Sequence, residues 1–150
     1  SLYIDKLSEW FDENVSPEWH ALQTRAMSIL QEEAALDEIV RLVGMDALSP
    51  RDKLTMDTAK SIREDYLHQN AFHEVDTYAS LHKQHRMLKL ILECHDLSAS
   101  ALEKNVDIED ILEMPVKEKI GRSKYIRETD LHEFDAIETE LKRQINALIG

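Results

Sequence analysis

Three glycines and three prolines in 150 residues leave a chain few places to turn sharply. A sandwich of short strands needs a tight turn every few residues, and glycine-rich phosphate loops need several glycines close together. That scarcity excludes the phosphate loop and disfavours the sandwich, and long helices joined by few connections fit it best. Two of the prolines stand where helices begin. In Ser16-Pro17-Glu18 the serine can cap free backbone N–H groups, and the proline fits a first turn where its missing N–H does no harm. The glutamate favours the positive end of the helix dipole. Ser49-Pro50-Arg51-Asp52 repeats the signal, with Asp52 three residues after Ser49 as in a capping box.

Apolar residues fill in the helices. Trp19, Leu22, Ala26, Ile29, Leu30, Ile39, Val40 and Val43 recur at helical spacing, and Gly44 offers a left-handed stop. That predicts a helix from Pro17 to Val43, about 40 Å long at 1.5 Å per residue. The second helix is predicted to run from Pro50 to about Leu67. Residues 17–67 therefore read as a helical hairpin with Gly44-Met45-Asp46-Ala47-Leu48-Ser49 at its tip. Residues 69–79 break the period, and Asn70, Asp76 and Thr77 favour local side-chain to backbone bonds, so an ordered loop is expected there. A third long helix carries Leu81, Leu88, Ile91, Leu92, Leu102 and Val106 near one face. A short one spans Ile108–Glu113 before Pro115. A last helix covers about Asp130–Leu148, with Leu131, Phe134, Ile137, Leu141, Ile145 and Leu148 at steps of three and four. The expected fold is all-α, an antiparallel bundle, with residues 1–150 forming a single helical domain.

The formal net charge of -12 disfavours contact with a phosphate backbone, so no nucleic-acid partner is expected. No apolar run is long enough to cross a membrane, and SLYIDKLSEWF lacks the features of a signal peptide. One cysteine, Cys94, excludes an internal disulfide and suits a reducing compartment. Mid-helix, it reads as a buried structural thiol. His82 and His85 share a helix with Cys94 and His95, but the spacing cannot close a four-ligand zinc site on one helix, and no Glu-x-x-His pair is present. No Gly-x-Ser-x-Gly elbow is present either. The basic stretch Lys117, Lys119, Arg122, Lys124 and Arg127 is either a solvated face or a surface for an acidic partner. Phe72, beside Gln69, Asn70 and His73, either pins its loop to the core or stacks on a base.

Two stretches carry a family resemblance. Ile62-Arg63-Glu64-Asp65-Tyr66-Leu67-His68-Gln69-Asn70-Ala71-Phe72-His73-Glu74-Val75-Asp76-Thr77-Tyr78 closely resembles the C-terminal helical domain of the catalytic A subunit of V/A-type rotary ATPases, in its archaeal and bacterial branch. The likeness continues at Lys83-Gln84, Met87-Leu88-Lys89 and Pro115 to Arg122, and upstream at Leu30-Gln31-Glu32-Glu33 and Leu42-Val43-Gly44. The tip, from Gly44 to Thr55, is similar to the acidic tip loop of the F-type catalytic beta subunit. It departs from that loop at Ala47, Pro50 and Arg51, where the loop is acidic.

The resemblance implies a C-terminal domain of a larger catalytic subunit whose phosphate loop and Mg²⁺ ligands lie elsewhere. This stretch would then hold no catalytic residue, no metal and no cofactor of its own, while the parent subunit uses ATP and Mg²⁺. It places Phe72 beside the adenine and makes Asp46, Ala47, Leu48, Ser49, Pro50, Arg51 and Asp52 the contact with the rotor. Its implied partners are the non-catalytic B subunits and the central stalk. The implied location is cytoplasmic, in the peripheral part of a membrane-bound complex, without direct membrane insertion. The rival reading is a free-standing acidic helical adaptor for partner helices. A small metal- or cofactor-binding bundle enzyme is a third, and it lacks the ligand spacing.

Overall fold

The computed structural model describes residues 16–67 and 78–150. Six α-helices are found there: α1 (Ser16–Val43), α2 (Pro50–Ser61), α3 (Tyr78–Glu103), α4 (Ile108–Leu112), α5 (Val116–Arg122) and α6 (Glu133–Ile149). No strand occurs among the described residues. The all-α bundle and the long hairpin expected from the apolar spacing are present.

The hairpin is punctuated as its sequence dictates. Gly44 closes α1 with its N–H on the Val40 carbonyl at 2.8 Å. It has φ 90° and ψ 165°, an extended backbone of positive φ rather than the left-handed helical turn expected. Nothing lies within 4 Å of where a Cβ would stand, so conformation rather than space requires the glycine. A 3₁₀ turn over Met45–Ala47 leads to Ser49, whose Oγ accepts the Asp52 N–H at 3.1 Å. Beyond Ser61 the helix does not run on as α: Ile62–Leu67 is wound as a π-helix.

α3 starts at Tyr78, inside the stretch expected to be loop, and ends at Glu103 in a Schellman turn. Asn105 takes φ 68°, and the Val106 N–H reaches back to the Ala101 carbonyl at 3.1 Å. Val106, expected within the helix stripe, is instead the residue that closes this turn. α5 follows Pro115, and its first N–H, on Val116, donates to Gln144 Oε1 of α6 at 3.0 Å. α6 begins at Glu133, after a 3₁₀ turn at Glu128–Asp130, three residues later than its stripe suggests.

α3 is the central element, packed on α1, α2 and α6, while α4 lies on α2 and α6. The core unites Leu54, Ala59 and Ile62 with Met87, Leu88, Leu92, Ile111, Val116, Phe134, Leu141 and Ile145. From α1 it takes Trp19, Ala26 and Ile29, all in that helix's first half. The second half extends past the core. Ile39 is 44% exposed, Leu42 84% and Val43 64%, so the apolar periodicity there marks a surface and not the core it suggested.

Candidate functional site

The tip of the hairpin is where α1 leaves the core. At 28 residues α1 is about 42 Å long, and its last turn is exposed. Ile39, Leu42 and Val43 on the helix and Met45 on the following turn form an exposed apolar patch. Four carboxylates (Asp37, Glu38, Asp46, Asp52) and two arginines (Arg41, Arg51) surround that patch in sequence. Exposed apolar groups clustered at a helix end are a feature of contact surfaces. A groove of about 580 Å³ opens between Glu33 and Asp37 on α1 and Lys53, Met56 and Lys60 on α2, with Met45 and Leu112 also in its lining.

Of the seven residues expected to face a rotor, six are exposed or half-buried and Leu48 is buried. Asp46 and Ala47 are exposed on the 3₁₀ turn. Ser49 is occupied as the cap of α2, Pro50 is its first residue, and the Asp52 N–H is held by that cap. Arg51 extends toward Glu103 at 3.6 Å. Leu48 is 6% exposed: it turns inward and anchors the tip, and is no part of the surface the tip presents. Sequence reasoning missed Ile39, Leu42 and Met45 as surface groups. Adjacent apolar residues gave no signal of this, because neighbours such as Met87 and Leu88 on α3 are both buried.

Phe72, with Gln69, Asn70 and His73, lies outside the described residues. The helix ends that flank this segment are described, and they are firmly tied. On the π-helical turn, Arg63 donates to Glu33 on α1 at 2.9 and 2.7 Å. Asp65 meets Lys124 at 3.1 Å, both largely buried. Burial pushes the Asp65 carboxyl above the usual carboxylate range, with Lys124 opposing. Tyr66 is buried edge-on to Trp19, 6.2 Å between ring centres. Trp19 also meets the His85 ring, whose Nε2 lies 3.4 Å from Glu18.

The remaining chemistry-bearing residues have structural settings. Cys94 is buried, with Sγ 4.0 Å from Ser98 Oγ, and burial raises its thiol above the ordinary range. Nδ1 of His95 lies 2.7 Å from the buried Thr58 hydroxyl, and burial lowers that ring's affinity for a proton. Among the described residues no three His, Cys, Asp or Glu side chains converge as a metal site. The basic stretch is taken up by partners. Lys117 pairs with Asp57, Lys119 with Glu140, Lys124 with Asp65 and Arg127 with Asp130. Arg122 lies over the Tyr125 ring. Lys117 and Lys124 are largely buried, while Lys119, Arg122 and Arg127 stay exposed. Among the described residues no helix is long and apolar enough to cross a membrane.

Comparison with known proteins agrees with this architecture. Residues 8–112 match the family described as the C-terminal domain of V and A type ATP synthase. The V-type ATP synthase alpha chain of Acetivibrio thermocellus is 60% identical over 151 aligned positions, which take in all of this chain and 26% of that protein. The alpha chains of Clostridium botulinum strain Langeland and Clostridium perfringens strain SM101 are 57% and 56% identical over 150 positions, 25% of each protein. The chain thus spans about a quarter of the length of the curated relatives it matches, at the end their family name gives. It belongs to the family of C-terminal domains of V and A type ATP synthases.

Proposed function

We propose that this chain is the coupling lever of an ATP synthase alpha subunit, linking the nucleotide state of a catalytic core elsewhere in the subunit to rotation of a central stalk and to ion transport. The observation that carries the reading is α1: its first half is locked in the core and its last turn carries exposed apolar side chains. Stiff helices transmit a hinge motion along their length with little bending. The stalk contact is then made by Ile39, Leu42, Val43 and Met45, with Asp46, Ala47 and the exposed part of Arg51 at the margin, while Leu48 holds the tip in shape. ATP and Mg²⁺ are bound in the core of the subunit, B subunits flank it, and the assembly lies at the cytoplasmic face of a membrane as a peripheral part.

The test is a Leu42→Ser, Met45→Ser double variant in the assembled complex. Both side chains are exposed, so the fold survives. ATP hydrolysis should continue while ions moved per ATP fall several-fold. Transport that stays fully coupled would remove the tip from the contact. Phe72 is assigned to the adenine on the strength of the Gln69-Asn70-Ala71-Phe72 resemblance. Phe72→Ala in the same complex should raise the KM for ATP and leave the ions moved per ATP unchanged. An unaltered KM for ATP would return Phe72 to loop packing.

A further inference from the structure

The π-helical turn needs something to hold it. Six residues, Ile62–Leu67, are wound i→i+5 at the end of an otherwise regular helix, and such windings are rare because α winding satisfies the same backbone groups with better geometry. The side chains show what the winding achieves. In a continuous α-helix Asp65 would sit about 80° round the axis from Asp57. With the last steps wound at about 4.4 residues per turn, the two carboxylates fall within about 10° of each other. On the facing segment Lys117 and Lys124 are seven residues apart, close to one face of a helical path. The result is two rungs between the same two elements: Lys117 to Asp57, and Lys124 Nζ to Asp65 at 3.1 Å. The second rung is set in place from a third helix, because Lys83 Nζ of α3, itself 7% exposed, donates to the Lys124 carbonyl at 2.5 Å.

We propose that the ladder Asp57–Lys117 and Asp65–Lys124 holds this helix one residue out of α-register, so that Ile62–Leu67 is a register switch placed directly before residues 68–77. Opening the Asp65–Lys124 rung lets the turn rewind as α. Rewinding rotates the chain beyond Leu67 by about 100° and shifts it by about 1.5 Å, the increment of one helical residue. Asp65 and Lys124 are positioning residues. The importance of the shift for nucleotide rests on the assignment of Phe72 to adenine, but the register itself does not, and its test contains no nucleotide.

The experiment is solution NMR of the 150-residue chain, reading couplings through hydrogen bonds. In the parent the Leu67 N–H should couple to the Ile62 carbonyl, and in Lys124→Met to the Arg63 carbonyl. The same Ile62 partner in both proteins, or the Arg63 partner already in the parent, overturns the proposal. Asp65→Asn provides the same readout from the other side of the rung, should Lys124→Met fail to fold. A second variant deletes Glu64, which is exposed. With one residue fewer, α winding alone brings Asp65 back opposite Lys124, so the variant should melt at the parent temperature or above and show a fully α turn. A melting temperature lowered by several degrees would mean that the π turn is no surplus residue, and would overturn the switch.

Discussion

Buried His85 and half-buried His95 should make the protein sensitive to acid. His85 and His95 both have proton affinities below the ordinary value near 6.5, in each case chiefly because burial penalises the charged ring. Glu18 works against this at His85, where Lys89 and Arg86 reinforce it, and Asp96 works against it at His95, where Arg25 and Arg51 reinforce it. A group whose folded-state affinity is depressed binds more protons when unfolded. The stability it contributes is complete above pH 6.5 and drains away as pH falls from there through the lower folded-state values. The melting temperature should therefore drop between pH 7.5 and 5.5, and His95→Gln should flatten part of that slope. A slope unchanged by the substitution would place the acid sensitivity elsewhere. Asp65 has the opposite sign: its raised affinity means that ionising it at neutral pH costs stability, which the Lys124 contact offsets only in part. None of this was legible in the sequence, where seven histidines among thirty carboxylates give composition but no burial.

At the scale of elements, helix starts were more legible than helix ends. A start is written locally, as a hydroxyl followed by proline, and Ser49 does what that pattern says, with its Oγ 3.1 Å from the Asp52 N–H. The end of α3 is written in one residue, Asn105, whose φ of 68° is a conformation asparagine tolerates and branched residues resist. Asn105→Val should cost about 1–2 kcal/mol, while Asn105→Gly should be neutral or slightly stabilising, both read from urea unfolding. Equal losses in the two variants would mean that the side chain of Asn105, and not its backbone, is what matters. The π winding had no sequence signature at all. It depends on Lys117 and Lys124, some sixty residues away in the chain, and no local pattern reports a partner at that separation. For the same reason the basic stretch read wholly as a surface, which holds for Lys119, Arg122 and Arg127 but not for Lys117 and Lys124, largely buried against Asp57 and Asp65.

The molecule as a whole joins a packed body to a hairpin whose end is apolar and exposed, and that arrangement was only half visible in the sequence. Periodicity correctly placed Trp19, Ala26 and Ile29 on a buried face, and was then extended to Ile39 and Val43, which are exposed. Spacing reports that one face of a helix is apolar; what covers that face is a property of the assembly. The candidate contact surface accordingly shares its stretch of chain with the expected one and differs from it in residues: Leu48 holds the tip from inside and Leu42 presents it.

The two-rung ladder has a further consequence for the reactivity of amines. Acylating reagents consume the neutral amine and need room to approach, so lysines should be modified in the order in which the fold leaves them accessible. Lys60 and Lys104 are exposed, and the Lys119 and Lys142 side chains are 55% and 52% exposed. Lys83 is 7% exposed as a residue, and the Lys117 and Lys124 side chains are 19% and 20%. Limited acetylation at pH 8, followed by peptide mass spectrometry, should label the first four early and the last three late. Lys117 and Lys124 reacting as fast as Lys104 would show that the ladder stands open in solution. In the expected order, late labelling at those three nitrogens becomes a chemical readout of the helix register itself.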